Sequence, residues 1–223
     1  MATILNLETA STNCSVSIAK DGELLVIKEH DTPNYSHAEQ LHVFIEKVLQ
    51  EASISFHELN AIAVSKGPGS YTGLRIGVSA AKGLCFSLDV PLISISTLKS
   101  LAHQVEFGAY DFVVPVLDAR RMEVYSAIFD KTGSEIRETR AQIIDQNAFR
   151  ELVGKEKVLV IGSGADKCKQ VLEHSNFNFE LSAVPSAREM ASLSYKKFQE
   201  GDFENVAYFE PYYLKDFILQ GKK

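Results

Sequence analysis

The sequence has no tryptophan and no Cys-x-x-Cys pair. Its three cysteines, Cys14, Cys85 and Cys168, lie far apart, so neither a zinc site nor a disulfide framework is indicated. Cys14 alternates with apolar residues and Cys85 recurs with them at helical spacing, so both are expected in the core. No apolar stretch reaches the length of about 20 residues that a transmembrane helix needs. Met1 leads directly into a strand-like segment without a basic leader, so we predict a cytoplasmic protein with no membrane partner.

Basic residues are fewer than acidic ones, 23 Lys and Arg against 29 Asp and Glu, which gives a formal net charge of −6. Proteins bind nucleic-acid backbones mainly through basic surfaces. The chain alone is therefore not expected to bind RNA, and a partner would have to supply the basic surface. The hydrophobic content of 45% and the charged content of 23% are typical of a globular protein. A length of 223 residues suits one large domain or two small ones.

The predicted elements follow the same order in both halves of the chain. The first half has strands at 3–8, 14–19 and 23–28, a helix at 36–52, a strand at 61–65, a helix at 72–88, a strand at 91–95 and a helix at 97–105. The second half has strands at 112–118, 122–130 and 135–144, a helix at 146–153, a strand at 157–161, a helix at 165–174, a strand at 179–184 and a helix after Ser186.

This repeated β-β-β-α-β-α-β-α order resembles the tandem ribonuclease-H-like units of the actin, sugar kinase and Hsp70 superfamily. We therefore predict an α/β protein of actin-like fold with two lobes, residues 1–106 and 107–223. A single doubly wound α/β domain is the alternative. The duplicated fold is favoured because two hairpin turns, Asp21-Gly22 and Lys131-Thr132-Gly133, occupy equivalent places in the two halves.

A strand-to-helix turn of unusual composition lies in the first half. Its sequence is Lys66-Gly67-Pro68-Gly69-Ser70-Tyr71-Thr72-Gly73-Leu74-Arg75. Gly67 and Gly69 permit backbone angles that other residues avoid, and Ser70 or Thr72 can cap the helix that follows. Backbone amides at such a turn can hold an anion. The string lacks the Lys-Ser or Lys-Thr pair of a P-loop and the Gly-x-Ser-x-Gly of a nucleophile elbow, so it predicts neither activity.

The helix predicted over 72–88 carries only two charges, Arg75 and Lys82. One apolar stripe should pack on the sheet. A second stripe beside it consists of small or apolar residues: Gly73, Ile76, Gly77, Ala80, Gly83, Leu84 and Ser87. Each interior glycine costs about 1 kcal/mol relative to alanine, and the close approach of another helix would offset that cost. The second stripe faces either a helix of the same domain or another protein, and we favour the latter because apolar patches of this extent mark binding sites.

Polar and glycine residues follow the strands at which actin-like proteins hold a nucleotide. The resemblance implies a vestigial nucleotide site from these candidates: Glu8, Ser11, Asp118, Arg120, Gly162 and Gly164. Arg120 and Arg121 either bind an anion or pair with acidic neighbours such as Glu123 and stay solvated, and the second interpretation is favoured. A nucleotide-binding ATPase or phosphotransferase is accordingly the alternative function. A lone Gly-x-Gly is weak evidence for it.

Three strings make the chain similar to the bacterial TsaB (YeaZ) family. They are the turn at 66–75, Asp118-Ala119-Arg120-Arg121, and the tail Pro211-Tyr212-Tyr213-Leu214-Lys215. The resemblance implies a non-catalytic protein that binds the enzyme TsaD and acts, with the ATPase TsaE, in making threonylcarbamoyladenosine on tRNA. It implies a heterodimer or a homodimer, contact with tRNA only through the complex, and no cofactor on this chain alone, with a nucleotide allowed at the partner interface.

The resemblance also implies that the partner is bound through the helices at 36–52 and 72–88. The expected partner-binding residues are His37, Leu41, Gly73, Arg75, Ile76, Gly77, Ala80, Gly83, Leu84 and Ser87. The signature turn beside them comprises Gly67, Pro68, Gly69, Ser70, Tyr71 and Thr72.

Metal chemistry of the TsaD kind is not expected from this sequence. The resemblance implies a His-x-x-x-His pair in TsaD, and Thr97 and Leu101 occupy the aligned positions here. His37 and His42 point to different faces of a helix, and His103 stands alone, so no metal site is predicted. A peptidase is not indicated either, because His-Glu-x-x-His and Gly-x-Ser-x-Gly are both absent. No catalytic residue is assigned.

Overall fold

The computed structural model describes residues 1–33 and 36–215. Its first half forms a mixed sheet with the order β3-β2-β1-β4-β5. The strands are β1 (Thr3–Glu8), β2 (Asn13–Lys20), β3 (Glu23–Asp31), β4 (Ala61–Gly67) and β5 (Leu92–Ser96). β1, β2 and β3 form an antiparallel meander, and β4 and β5 continue parallel to β1. These are the strands that the sequence predicts, with ends that differ by at most three residues.

The second half forms a sheet of the same order, β8-β7-β6-β9-β10. Its strands are β6 (Phe112–Asp118), β7 (Glu123–Asp130), β8 (Glu135–Ile143), β9 (Val158–Ile161) and β10 (Phe177–Glu180). Again a three-stranded antiparallel meander continues into two parallel strands. The predicted actin-like duplication is confirmed, and a single doubly wound sheet is excluded for the described residues.

Five α-helices flank the sheets in the described residues. They are α1 (His37–Ala52), α2 (Tyr71–Leu88), α3 (Thr97–Ala102), α4 (Ala165–Lys169) and α5 (Ala187–Glu200). The helix predicted over 146–153 is wrong, because only a 3-10 turn forms, at Arg150–Leu152. Phe149 takes a left-handed backbone angle (φ 54°), which interrupts a helix there and accompanies full burial of its ring. α3 and α4 are also shorter than predicted.

The two faces of the first sheet are covered by helices from different parts of the chain. Leu5 and Leu7 of β1 point to the core beneath α1 and α2, whereas Ile4 packs with Met190 of α5. α3 in turn places Leu98 in the core of the second sheet. Each half therefore contributes its last helix to the core of the other half. The division of the chain into domains at residues 106 and 107 stays a prediction.

The cysteines are buried, as expected for Cys14 and Cys85, and all three are free thiols. Burial raises the pKa of each thiol to about 12, so Cys14, Cys85 and Cys168 are protonated at neutral pH. Within residues 1–33 and 36–215, no helix has the length and apolar character required to span a membrane.

Candidate functional site

A cleft of about 960 Å³ lies between the lobe built on the first sheet and the lobe built on the second sheet. The first lobe contributes the loop after β1, the signature turn and the first turns of α2. The second lobe contributes the loop between β6 and β7, and the tail at 212–215 crosses from one lobe to the other. The cleft therefore lies at the carboxyl ends of β1, β4 and β6, where open α/β sheets place their ligands.

The signature turn adopts the predicted strand-to-helix geometry. Gly67 has φ +110°, a left-handed angle that favours glycine, and the bond to Pro68 is cis. A Cβ on Gly69 would collide with the carbonyl oxygen of Ala10. Ser70 is the N-cap of α2, as predicted, and its hydroxyl accepts a hydrogen bond of 3.3 Å from the amide of Gly73.

Backbone amides of this turn were candidates for binding an anion, but two of them donate hydrogen bonds within the chain. The Ser70 amide donates to the carbonyl oxygen of Ala10 at 2.7 Å, and the Gly73 amide donates to the Ser70 hydroxyl. Tyr71 and Thr72 begin α2 and line the cleft. The turn is thus built to dock the loop after β1 against α2.

Gly73 and Gly77 were predicted on a stripe that faces a partner, but both face the interior of this chain. A Cβ on Gly73 would collide with the carbonyl oxygen of Thr9, and a Cβ on Gly77 with the Thr9 hydroxyl. That hydroxyl donates a hydrogen bond of 2.8 Å to the carbonyl oxygen of Gly73. Close approach of the β1 loop, and not of a partner helix, explains these two glycines.

His37 and Leu41 also lie in the interior, so their predicted contact with a partner is corrected in the same way. Leu41 belongs to the hydrophobic core beneath α1. His37 is buried, and its Nε2 atom lies 2.8 Å from the carbonyl oxygen of Ser11. Burial lowers the pKa of His37, with partial compensation from that contact. His42 is exposed on the other side of α1, which confirms that the two imidazoles diverge.

The remaining residues of the predicted stripe lie farther out on α2. Gly83 and Ser87 are exposed, whereas Ile76, Ala80 and Leu84 are half-buried and pack partly against the core beneath α1 and α2. We call them the outer face of α2: Ile76, Ala80, Gly83, Leu84 and Ser87, with Arg75 at one edge. No heavy atom lies within 4 Å of a Cβ built on Gly83, so nothing in the described residues accounts for a glycine there. This face is uncharged and small or apolar, and it lies beside α1.

Phe86, at the edge of the outer face, is 85% exposed. The sequence interpretation missed it, because a phenylalanine within an apolar helix is ordinarily expected to point inward. Its spacing was the available signal, since Phe86 lies four residues after Lys82, on the charged edge of the wheel. On α1, Val43 is also exposed.

The candidate nucleotide residues are only partly brought together. Ser11, Asp118 and Arg120 line the cleft. Gly162 and Gly164 do not: a Cβ on Gly162 would collide with the carbonyl oxygen of Val116, and one on Gly164 would lie 2.8 Å from Val124. Both glycines therefore permit close packing within the second lobe.

Glu8 is fully buried beneath the cleft and does not line it. One carboxyl oxygen accepts hydrogen bonds from the amide of Ala10 at 2.6 Å and from the hydroxyl of Ser65 at 2.8 Å. The other, Oε2, has no hydrogen-bond partner in the described residues. Burial raises the pKa of Glu8 to about 7, although the hydrogen bonds oppose the shift. A carboxylate in this place would need to move to reach a ligand in the cleft.

The loop at 118–123 brings two basic and two acidic side chains to the cleft. Asp118 pairs with Lys167 at 2.8 Å. Arg120 and Arg121 have left-handed backbone angles, φ 67° and 50°. Neither forms an ion pair within residues 1–33 and 36–215, and Glu123 pairs with Lys215 of the tail instead. The expectation that the arginines pair with acidic neighbours such as Glu123 is therefore wrong, whereas both side chains are exposed to solvent, as that interpretation also expected.

Thr97 and Leu101 occupy buried positions of α3, where Leu101 packs in the core of the second sheet. His103 Nδ1 lies 2.8 Å from the carbonyl oxygen of Lys99. Among the residues that the structure describes, no group of three or more His, Cys, Asp or Glu side chains is arranged to hold a metal ion.

Comparison with known proteins relates the chain to tRNA-modification proteins. The family model described as TsaD, tRNA N6-adenosine threonylcarbamoyltransferase, matches residues 33–217. The chain is 30% identical to the tRNA threonylcarbamoyladenosine biosynthesis protein TsaB of Escherichia coli, over 98% of this chain and 97% of that protein. It is 34% identical to TsaB of Bacillus subtilis over 77% of this chain and 75% of that protein.

Among solved structures, a Pseudomonas aeruginosa protein described as similar to peptidase YeaZ superposes with a TM-score of 0.86 at 26% identity. The match covers 96% of this chain and all of that one.

Proposed function

This chain belongs to the TsaB (YeaZ) family, and we propose that it is the non-catalytic subunit that binds and activates a TsaD-type enzyme. In this proposal the complex, with a TsaE-type ATPase, transfers a threonylcarbamoyl group to the adenosine next to the tRNA anticodon. tRNA is contacted through the complex. The names of the curated relatives support a role in threonylcarbamoyladenosine biosynthesis.

The outer face of α2 carries the proposal. A helix face that reaches solvent ordinarily carries charged residues, whereas the half-buried Ile76 and Ala80 and the exposed Gly83 carry no charge. Gly83 destabilises the helix by about 1 kcal/mol relative to alanine and has no neighbour inside the chain that requires it. A partner helix that packs closely against this face would account for both properties.

The TsaD match supports the identity of the partner. A TsaD-type protein has a related sequence, and the match begins at residue 33, immediately before α1. Two related chains can pack through equivalent helices around a pseudo-twofold axis, in the way that homodimers use one surface twice. The same argument allows a second copy of this chain to occupy the face, so a homodimer would compete with the heterodimer. A nucleotide at the heterodimer interface is compatible with the nearby cleft.

Activation without a catalytic residue has a defined physical basis. A bound subunit shifts its partner toward one conformation only if it contacts that conformation more strongly than the others. The proposed role is therefore to stabilise the active arrangement of the enzyme through α1 and α2.

The decisive experiment is a reconstituted modification reaction. Cognate TsaD-type and TsaE-type proteins are incubated with tRNA, ATP, labelled threonine, bicarbonate and an enzyme that makes threonylcarbamoyl-adenylate, with and without this chain. We expect modification to require the chain, which alone turns over no ATP. Equal modification without it would overturn the proposal.

A nucleotide-binding ATPase or phosphotransferase of the same fold is the second candidate. The observation in its favour is the cleft with Arg120 and Arg121, which have no acidic partner in the described residues. Against it, Glu8 lies beneath the cleft and Gly162 and Gly164 pack inside the lobe. Thermal stabilisation of the isolated chain by millimolar ATP and magnesium would favour this candidate, and no shift would count against it.

A further inference from the structure

The segment after α5 runs along the edge of the first lobe and reaches the second. We call residues 202–215 the C-terminal strap. The Glu204 amide donates to the carbonyl oxygen of Leu92 at 2.8 Å, which pairs the strap with β5. Lys82 of α2 then donates to the carbonyl oxygens of Ala207 and Phe209, at 3.2 and 2.9 Å. The strap is thus fixed alongside α2 before it reaches the cleft.

The strap next pairs with the signature turn. The Tyr212 amide donates a hydrogen bond of 2.7 Å to the carbonyl oxygen of Lys66. A Cβ on Gly67 would lie 2.8 Å from the carbonyl oxygen of Tyr212. Two features therefore require glycine at position 67. Its φ is positive, and the backbone of the strap occupies the space that a side chain would fill.

A row of three side chains then joins the strap to the first turn of α2. The ring of Tyr213 lies against that of Tyr71, with centroids 4.8 Å apart. The guanidinium of Arg75 lies 4.4 Å from the centre of the Tyr71 ring. Arg75 is the charged edge of the outer face, so the row connects the strap directly to the proposed partner-binding surface.

The far end of the strap is held by the second lobe. Lys215 forms an ion pair with Glu123 and donates to the carbonyl oxygen of Ala119 at 3.4 Å. Its ammonium group also lies 5.8 Å from the centre of the Tyr125 ring. The first turn of α2 is therefore held by a segment that is fixed at both ends.

We propose that the C-terminal strap positions the first turn of α2 for the partner, with Tyr213 as its positioning residue. The inference rests on the proposed function for its consequence, since it assumes that α2 contacts a TsaD-type enzyme. The claim that the strap orders the first turn of α2 does not rest on the proposed function, because that order is a property of the isolated chain.

The test compares full-length wild-type chain with Tyr213→Ala and Tyr213→Phe. Hydrogen exchange of the Gly73 and Leu74 amides reports on the first turn, because they donate to the side chain and the carbonyl of Ser70. In Tyr213→Ala we expect exchange there to accelerate about tenfold and affinity for the TsaD-type protein to fall about tenfold, the effect of losing one aromatic contact. Tyr213→Phe keeps the ring and removes only a hydroxyl that has no hydrogen-bond partner in the described residues, so it should behave as wild type. Amides in the middle of β1 serve as the internal control.

Each outcome decides the inference. Faster exchange at the first turn with wild-type affinity would overturn it, because the order of that turn would then not affect the partner. Unchanged exchange at the first turn in Tyr213→Ala would overturn it, whether or not affinity falls, because a fall alone would mean that Tyr213 contacts the partner directly. Faster exchange at β1 as well would mean general destabilisation, and this too would overturn it. If the wild-type chain does not bind the TsaD-type protein at all, the proposed function fails, while the exchange comparison still tests the strap.

Discussion

The hydroxyl of Thr9 donates a hydrogen bond of 2.8 Å to the carbonyl oxygen of Gly73. This contact joins the loop after β1 to the first turn of α2. It requires Gly73 and Gly77 to lack side chains, because Thr9 occupies the space that a Cβ at either position would need. The stripe of small residues on α2 therefore consists of two parts, one that packs inside the chain and one that is open to solvent.

The two parts should respond oppositely to the same substitution. Gly77→Ala places a methyl group against the Thr9 hydroxyl and should lower the free energy of unfolding by about 1–3 kcal/mol. Gly83→Ala adds a methyl group in open space and improves helix propensity, so it should raise that free energy by up to about 1 kcal/mol. Urea denaturation of the two variants measures both values. Equal effects at the two positions would contradict the division of the stripe.

Partner binding should depend on the outer face of α2 and not on the exposed face of α5. Ser87→Arg places a bulky charge on the outer face, and we expect it to abolish binding to a TsaD-type protein, measured by calorimetry or gel filtration. Ser192→Arg is the matched control, because Ser192 is an exposed serine of α5 on the opposite side of the first sheet. It should bind as wild type does.

Two other results with these serine variants would be informative. Full affinity in Ser87→Arg would show that another surface is used. If the isolated chain dimerises, loss of the dimer in Ser87→Arg alone would place a second copy on the same face.

The stability of the chain should depend on pH through Glu8. Its pKa is raised from 4.5 to about 7 in the folded chain, so the folded state binds more protons than the unfolded state between these values. The free energy of unfolding should therefore fall as pH rises from about 4.5 to 7 and level off above, by a total on the order of 3 kcal/mol. Glu8→Gln cannot ionise, so the variant should lose this part of the pH dependence. Parallel profiles for the variant and the wild type would contradict the assignment.

The thiols should be unreactive in the folded chain. Burial raises the pKa of Cys14, Cys85 and Cys168 to about 12, so almost no thiolate forms at pH 8 and the sulfur atoms are shielded. Iodoacetamide should label none of the three under native conditions and all three in denaturant, as counted by mass spectrometry. Stoichiometric labelling of one cysteine in the native chain would contradict its burial.

Sequence reasoning worked best where local pattern and core burial agree. The strands and their repeated order were predictable because period-two alternation and hairpin turns mark the antiparallel strands, and short apolar runs between turns mark the buried parallel ones. The absence of a helix at 146–153 was not predictable, because Phe149 is buried in the core of the second sheet with a left-handed backbone angle, and that burial arises only in the folded chain.

In the candidate site, too, features set by local sequence were predictable and features set by tertiary contacts were not. The sequence alone determined the signature turn, the low charge of α2 and the similarity to TsaB, since these depend on residue types at fixed local spacing. Only the tertiary structure decided that Gly73 and Gly77 dock Thr9, that Glu8 lies beneath the cleft, and that Tyr213 reaches Tyr71. The physical reason is that each of these depends on which distant segment fills the space beside a residue, and side-chain volume and burial are properties of the folded chain.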